Sequence, residues 1–214
     1  MTRGQLQPRK TPKQPRAWET QDRILEAAAR VFAEHGYPSG TTNRIAAAAS
    51  MSVGSLYQYF PNKDAILVAL VRRHIDDGAR RIDKALKAAQ ADVPLADRVG
   101  LLVDAVIASH KDDRRLHQVL FEEAPRPPEL LAELHQLEQN IVDSVAGLLA
   151  TDPAVRKPDN QMVAWMATAA VESLTHRYVS TYPQSGGLSD FRDELVSLVI
   201  SYLTAPGRDD VNRD

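Results

Sequence analysis

Residues 41 to 63 read TTNRIAAAASMSVGSLYQYFPNK, a stretch with two cations, no acid and many hydrogen-bonding groups. Asn43, Arg44 and Gln58 have the donor and acceptor geometry of base-edge readers. An amide such as Asn43 or Gln58 suits adenine, and the Arg44 guanidinium suits guanine. Ser52, Val53, Gly54 and Ser55 are small enough to let a backbone approach a duplex; the hydroxyls can bond to bases or phosphates, and Val53 can touch a thymine methyl. Thr42, Tyr57, Tyr59 and Lys63 can hold phosphates from the flanks. Each has an ordinary alternative: Val53 and Tyr57 as core, Ser52 as a helix cap only, Arg44 as a solvated charge. The constellation says more than any member of it. Catalytic chemistry has weaker candidates in Glu122 with Glu123, and in Glu172 with His176, four apart on a helix face. Pairs at that spacing are usually surface ion pairs, and no nucleophile motif or phosphate loop accompanies them, so no enzyme is expected. There are no cysteines, and the six histidines lack ligand spacing, so neither a metal site nor a cofactor is expected.

Helices must position these groups. Ile24, Leu25, Ala28, Val31 and Phe32 recur at helical spacing, and HGYP then supplies glycine and proline stop signals. Thr41 or Thr42 can cap a second helix that puts Ile45, Ala46 and Ala49 on one face. Residues 50–52 interrupt the pattern, and a third helix is predicted from about Val53 to Phe60, with Leu56 and Phe60 on its buried side and Pro61 ending it. Asn62 can cap a long fourth helix marked by Ile66, Leu67, Leu70, Val71, Ile75, Ala79, Ile82 and Leu86. Two short helices joined by a three-residue turn form a helix-turn-helix, whose second helix enters the major groove by its N-terminal end.

The stretch TTNRIAAAASMSVGSLYQYFPNKDAIL resembles the DNA-binding signature of the tetracycline-repressor (TetR) family, through Thr41, Thr42, Ile45, Ala46, Ser52, Gly54, Leu56, Tyr57, Tyr59, Phe60, Lys63 and Ile66. RILEAAARVFAEHGY resembles that family's first helix, so the likeness covers residues 21 to about 72. It implies phosphate contacts from Thr42, Tyr57, Tyr59 and Lys63. It also implies a base-facing set of Asn43, Arg44, Ser52, Val53, Gly54, Ser55 and Gln58, and a small core of Ile45, Leu56 and Phe60. Beyond residue 72 only the layout agrees: a larger helical domain whose last two helices form a homodimer interface in this family. The chain departs from the pattern at Ser50, where the family usually has glycine, and at Met51, which replaces a common valine. Serine tolerates a left-handed turn less well, so a cost of order 1 kcal/mol or a changed turn is expected.

With 43% hydrophobic residues among 214, the chain can bury a real core. No strand-like alternation or repeat is visible, so the fold is expected to be all-α: an N-terminal helix-turn-helix domain at 17–74, and a helical effector-binding and dimerisation bundle at 75–214. Residues 1–16 hold five cations, three prolines and no acid, and read as a disordered basic arm that follows DNA or is an unconstrained tail. The net charge of −2 hides an asymmetry: residues 1–74 hold eleven Lys/Arg against five Asp/Glu, and the remainder fifteen against twenty-three. A basic block suggests nucleic acid or an anionic surface, and an acidic remainder argues against a nonspecific polycation binder. No membrane span or signal peptide is apparent, so a cytoplasmic location is expected. Two later segments carry apolar residues on more than one face, Met162, Val163, Trp165, Met166, Ala169, Ala170, Leu174 and Tyr178 in one, and Phe191, Leu195, Val196, Leu198, Val199, Tyr202 and Leu203 in the other. The second face is buried either in another copy or in this subunit's own core. His117, Leu120, Phe121, His135, Trp165, Met166, Glu172 and Tyr178 are candidate linings for a small-molecule effector, ordinary core and surface being the alternative for each. The expected function is a transcriptional regulator that binds a palindromic operator as a homodimer and is released by an effector; a DNA-binding regulator without an effector is the alternative.

Overall fold

The periodic segments are helical in the computed structural model, which describes residues 6–8, 15–90, 92–110, 116, 118–155, 159–181 and 187–205. Eight α-helices and no strand occur among them: α1 (Pro15–Ser39), α2 (Thr42–Ala48), α3 (Val53–Tyr59), α4 (Lys63–Ala88), α5 (Leu95–His110), α6 (Pro128–Ala150), α7 (Asn160–Thr181) and α8 (Leu188–Thr204). A π-helical turn, Val119–Glu123, lies between α5 and α6. Of the expected basic arm, residues 1–5 and 9–14 lie outside the described residues, while Pro15 and Arg16 already belong to α1. The chain groups into two units, Met1–Asp76 with Asp113–Ala132, and Asp77–Asp112 with Glu133–Asp214.

In the first unit the apolar stripes converge. Ile24, Leu25, Ala28, Val31 and Phe32 of α1 meet Ile45, Ala46 and Ala49 around α2, Leu56 and Phe60 around α3, and Ile66, Leu67 and Leu70 of α4. Val119 and Leu120, from the π-helical turn far along the chain, complete this core. α1 breaks where glycine and proline signals predict, at Gly36 (φ 71°, ψ 168°). Gly40 then passes so close to the buried Phe32 that a Cβ there would overlap the ring. The turn after α2 closes through two backbone bonds, Met51 N–H to the Ala46 carbonyl and Ser50 N–H to the Ala47 carbonyl, each 3.0 Å. This double closure requires a left-handed residue between helix and exit, and Ser50 takes it at φ 54°. The expected departure at Ser50 is therefore a strained residue in the ordinary turn rather than a different turn.

The second unit packs Val99, Val103 and Ile107 of α5 with Val142, Ala146 and Leu149 of α6, Val163, Ala164, Ala167 and Val171 of α7, and Leu195, Val199 and Leu203 of α8. Polar pins fix the helices. Arg98 forms a buried ion pair with Asp152, and Arg192 forks onto Asp104 through Nε (3.0 Å) and Nη2 (3.1 Å). His110, at the end of α5 and 5% exposed, has Nδ1 2.8 Å from the Val106 carbonyl and Nε2 3.1 Å from Glu172 Oε1. Both partners accept, so both ring nitrogens donate and the imidazole is charged. Burial opposes that charge, but the hydrogen bond and negative charge of Glu172 and the Val106 carbonyl outweigh it and raise the pKa.

Two expectations follow. Ser50→Gly relieves the left-handed backbone and raises stability by about 1 kcal/mol in urea unfolding; no gain would place the turn elsewhere. For His110 the folded-state pKa exceeds the unfolded value. Its contribution is therefore complete below about pH 6.5 and is lost as pH rises through the folded value. The stability advantage of the natural chain over His110→Gln should shrink as pH rises above about 6.5, and an advantage that grows with pH would contradict the charged pair.

Candidate nucleic-acid interface

Helices of seven residues expose most of their backbone ends, and local side chains satisfy them here. Thr41 caps α2, its Oγ1 accepting from Arg44 N–H at 3.3 Å. Ser52 caps α3, accepting from Ser55 N–H at 3.1 Å, and its hydroxyl lies 2.9 Å from that of Ser55. Asn62 Oδ1 accepts from Ala65 N–H at 2.8 Å and starts α4. Thr42 Oγ1 lies 3.1 Å from the Tyr57 hydroxyl, tying the first turn of α2 to the middle of α3.

None of the eleven residues in the predicted interface is buried. Asn43, Arg44, Ser52, Val53, Gly54, Tyr57 and Gln58 are exposed, and Thr42, Ser55, Tyr59 and Lys63 are partly so. Val53 is 36% and Tyr57 39% exposed, which removes the core alternative for both. Gly54 is informative. A Cβ there would meet nothing nearer than Ser52 Oγ, at 3.8 Å, so no packing within the chain demands glycine. An exposed glycine inside a helix is destabilising by about 1 kcal/mol relative to alanine.

Two members of the set bind residues outside it. Lys63 donates from Nζ to the carbonyls of Tyr37 (3.0 Å) and Pro38 (3.4 Å), and its ammonium stands 4.1 Å from the Tyr37 ring centroid. The Tyr37 hydroxyl bonds Asp64 Oδ1, so the end of α1 is clamped to the start of α4. Arg44 Nη1 lies 3.1 Å from His35 Nε2. His35 and Tyr37 belong to the HGYP stop itself, and that signal says nothing about what their rings touch.

The described effector candidates stand in different surroundings. His117 and the Phe121 side chain lie outside the described residues. Leu120 is buried in the first unit's core. His135 is exposed. Trp165 and Met166 are 51% and 45% exposed, held outward on α7 because Val163, Ala164 and Ala167 take its inner face. Glu172 engages His110, and Tyr178 stacks on Phe191 with centroids 4.0 Å apart. Among the described residues no group of three or more His, Asp or Glu comes together to hold a metal ion, and no helix is long and apolar enough to cross a membrane.

Comparison with known proteins places this geometry in a family. Residues 24–70 match the bacterial regulatory proteins of the tetR family, and residues 94–203 match the tetracyclin repressor-like C-terminal domain. The chain is 26% identical over 147 residues to the HTH-type transcriptional activator FasR of Mycolicibacterium smegmatis, a match spanning 68% of this chain and 66% of FasR. Among solved structures, a TetR-family regulator of Mesorhizobium loti superposes with TM-score 0.72 at 16% identity, covering 89% of this chain and 98% of that one. AibR, in complex with isovaleryl coenzyme A and operator DNA, superposes with TM-score 0.61 at 19% identity over 88% and 100% of the two chains. With the C-terminal match alone covering just over half of the 214 residues and the N-terminal match lying on the helix-turn-helix, the protein belongs to the tetR family of bacterial regulatory proteins.

Proposed function

We propose that the chain is a cytoplasmic DNA-binding transcriptional regulator and not an enzyme, a repressor that reads a near-palindromic operator as a homodimer and is released by a small-molecule effector. The observation that carries this reading is Gly54: an exposed glycine in the first turn of α3, where a Cβ would make only ordinary contact with Ser52 Oγ, flanked by Ser52, Val53 and Ser55. The chain gains nothing from it, whereas a duplex seated on that turn needs the close approach. Around it, Thr42, Tyr57, Tyr59 and Lys63 serve as phosphate contacts, and Asn43, Arg44 and Gln58 face base edges. Residues 17–74 then act as the DNA-binding domain and residues 75–214 as the effector-binding and dimerisation domain. The arm at residues 1–16 is a further candidate for backbone contact.

Dimerisation is supported by the outward faces of the last two helices. Met162, Trp165, Met166 and Leu174 of α7 and Leu198 of α8 are 54%, 51%, 45%, 38% and 52% exposed, while other residues of the same helices fill the unit's own core. Apolar surface of this kind is covered by a partner, and a second copy presents the same face. Two copies would set their recognition helices about 34 Å apart on successive major grooves. An effector acts through its differential affinity for the DNA-competent and DNA-incompetent arrangements, with α4 as the element that carries Lys63 at its start and continues into the second unit. The complex of AibR makes short acyl-coenzyme A thioesters the first effector class to test.

Selection on random duplexes at two salt concentrations should enrich a palindromic motif, and no enrichment would overturn the reading. On that motif Tyr57→Phe should weaken binding about three- to tenfold whatever the sequence, whereas Asn43→Ala should relax preference at one position per half-site. Trp165→Glu combined with Leu198→Glu should convert the dimer to a monomer in sedimentation velocity. A dimer that persists would assign those faces elsewhere.

A further inference from the structure

We propose that His35 is a positioning residue for DNA recognition: its imidazole accepts from the Arg44 guanidinium and holds it in place. This inference rests on the reading of Arg44 as a DNA-facing residue. The N–H groups of arginine only donate, so the 3.1 Å approach of Arg44 Nη1 makes His35 Nε2 an acceptor. The imidazole is then neutral, with its proton on Nδ1. One of the five guanidinium N–H groups is used, and the others remain for a guanine edge or a phosphate.

The anchor is well placed for that task. His35 occupies the last turn of α1 before the break at Gly36, three residues beyond the buried Phe32, and Arg44 stands in the first turn of the capped helix α2. Both ends of the bond therefore start from fixed backbone. A long arginine ordered before DNA arrives loses less rotamer freedom on binding than a free one. Glu34 on the same helix has its Oε1 3.9 Å from the same Nε2, beyond hydrogen-bond distance, so Arg44 holds the closer contact. Removing the anchor loosens the base-facing guanidinium and leaves the phosphate contacts unchanged, so the quantity that falls is the ratio of operator to nonspecific affinity.

The test measures that ratio at one pH and one salt concentration for the natural chain, His35→Gln and His35→Ala, with circular dichroism melts confirming folding. His35→Gln, whose amide oxygen can accept from Arg44, should keep the ratio. His35→Ala should lose about three- to tenfold in it, and in an Arg44→Ala background the His35 variants should become indistinguishable. Ring 15N shifts of the free natural chain should show the Nδ1–H tautomer of His35, which needs no variant to fold. An operator-selective protein whose ratio is unmoved by His35→Ala, or whose His35 is an Nε2–H tautomer, overturns this inference alone. A protein with no operator preference overturns the regulator reading and this inference with it.

Discussion

The burial of Ile45, Leu56 and Phe60 against Phe32 and the α4 stripe is the contact on which the candidate interface depends. α2 and α3 are seven residues each, well below the length at which isolated helices persist in water. Neither can hold a side chain in place unless its apolar face is fixed by something larger, and α1 and α4 supply that surface. Once those three residues are seated, the opposite faces of the same short helices have no packing role, and that freedom is why their side chains can be small, polar and outward. The division of labour within a helix of two turns is complete: Leu56 is fully buried while Val53 and Tyr57 on either side of it are not.

Local hydrogen bonds then convert a packed pair of helices into an oriented one. Thr41, Ser52 and Asn62 each cap the helix that follows, so the starts of α2, α3 and α4 are set by their own sequence. Ser50 and Gly54 show opposite uses of the same backbone rule. At Ser50 a left-handed turn is made by a residue poorly suited to it, and at Gly54 a residue suited to unusual backbone sits in an ordinary helix. The first is tolerated because the turn is closed by two hydrogen bonds. The second answers no packing demand within the chain.

The second unit is built on a different economy. Its helices are long enough to be stable on packing alone, and α7 and α8 spend only part of their apolar surface on it. The buried pin, Arg98 with Asp152, is of the kind whose loss is felt strongly, because a stranded buried charge is worse than an absent pair, whereas Arg192 with Asp104 is exposed and contributes less. His110 belongs with them: its two acceptors make a buried group charged, which links the packing of α5 and α7 to proton concentration.

Much of the first unit was legible in the sequence because its determinants are short-range. The stripes of α1 and α4, the caps, the stop at Gly36 and the exposure of the α3 start all follow from residue spacing and from rules that act within a turn of helix. The outward apolar face of α7 was also readable, as a second stripe, though not which residues would lie on it. What the sequence alone could not determine was every pairing between residues distant along the chain. Leu120 in the first unit's core, Lys63 on the carbonyls of Tyr37 and Pro38, His35 on Arg44, Glu172 on His110 and Arg98 on Asp152 are all of this kind. Those contacts depend on how whole helices cross, and periodicity specifies which face of a helix is apolar but not which neighbour it meets. The sequence by itself determined the helices, their caps and the residues free to face outward; only the tertiary structure decided which of the polar ones were already held.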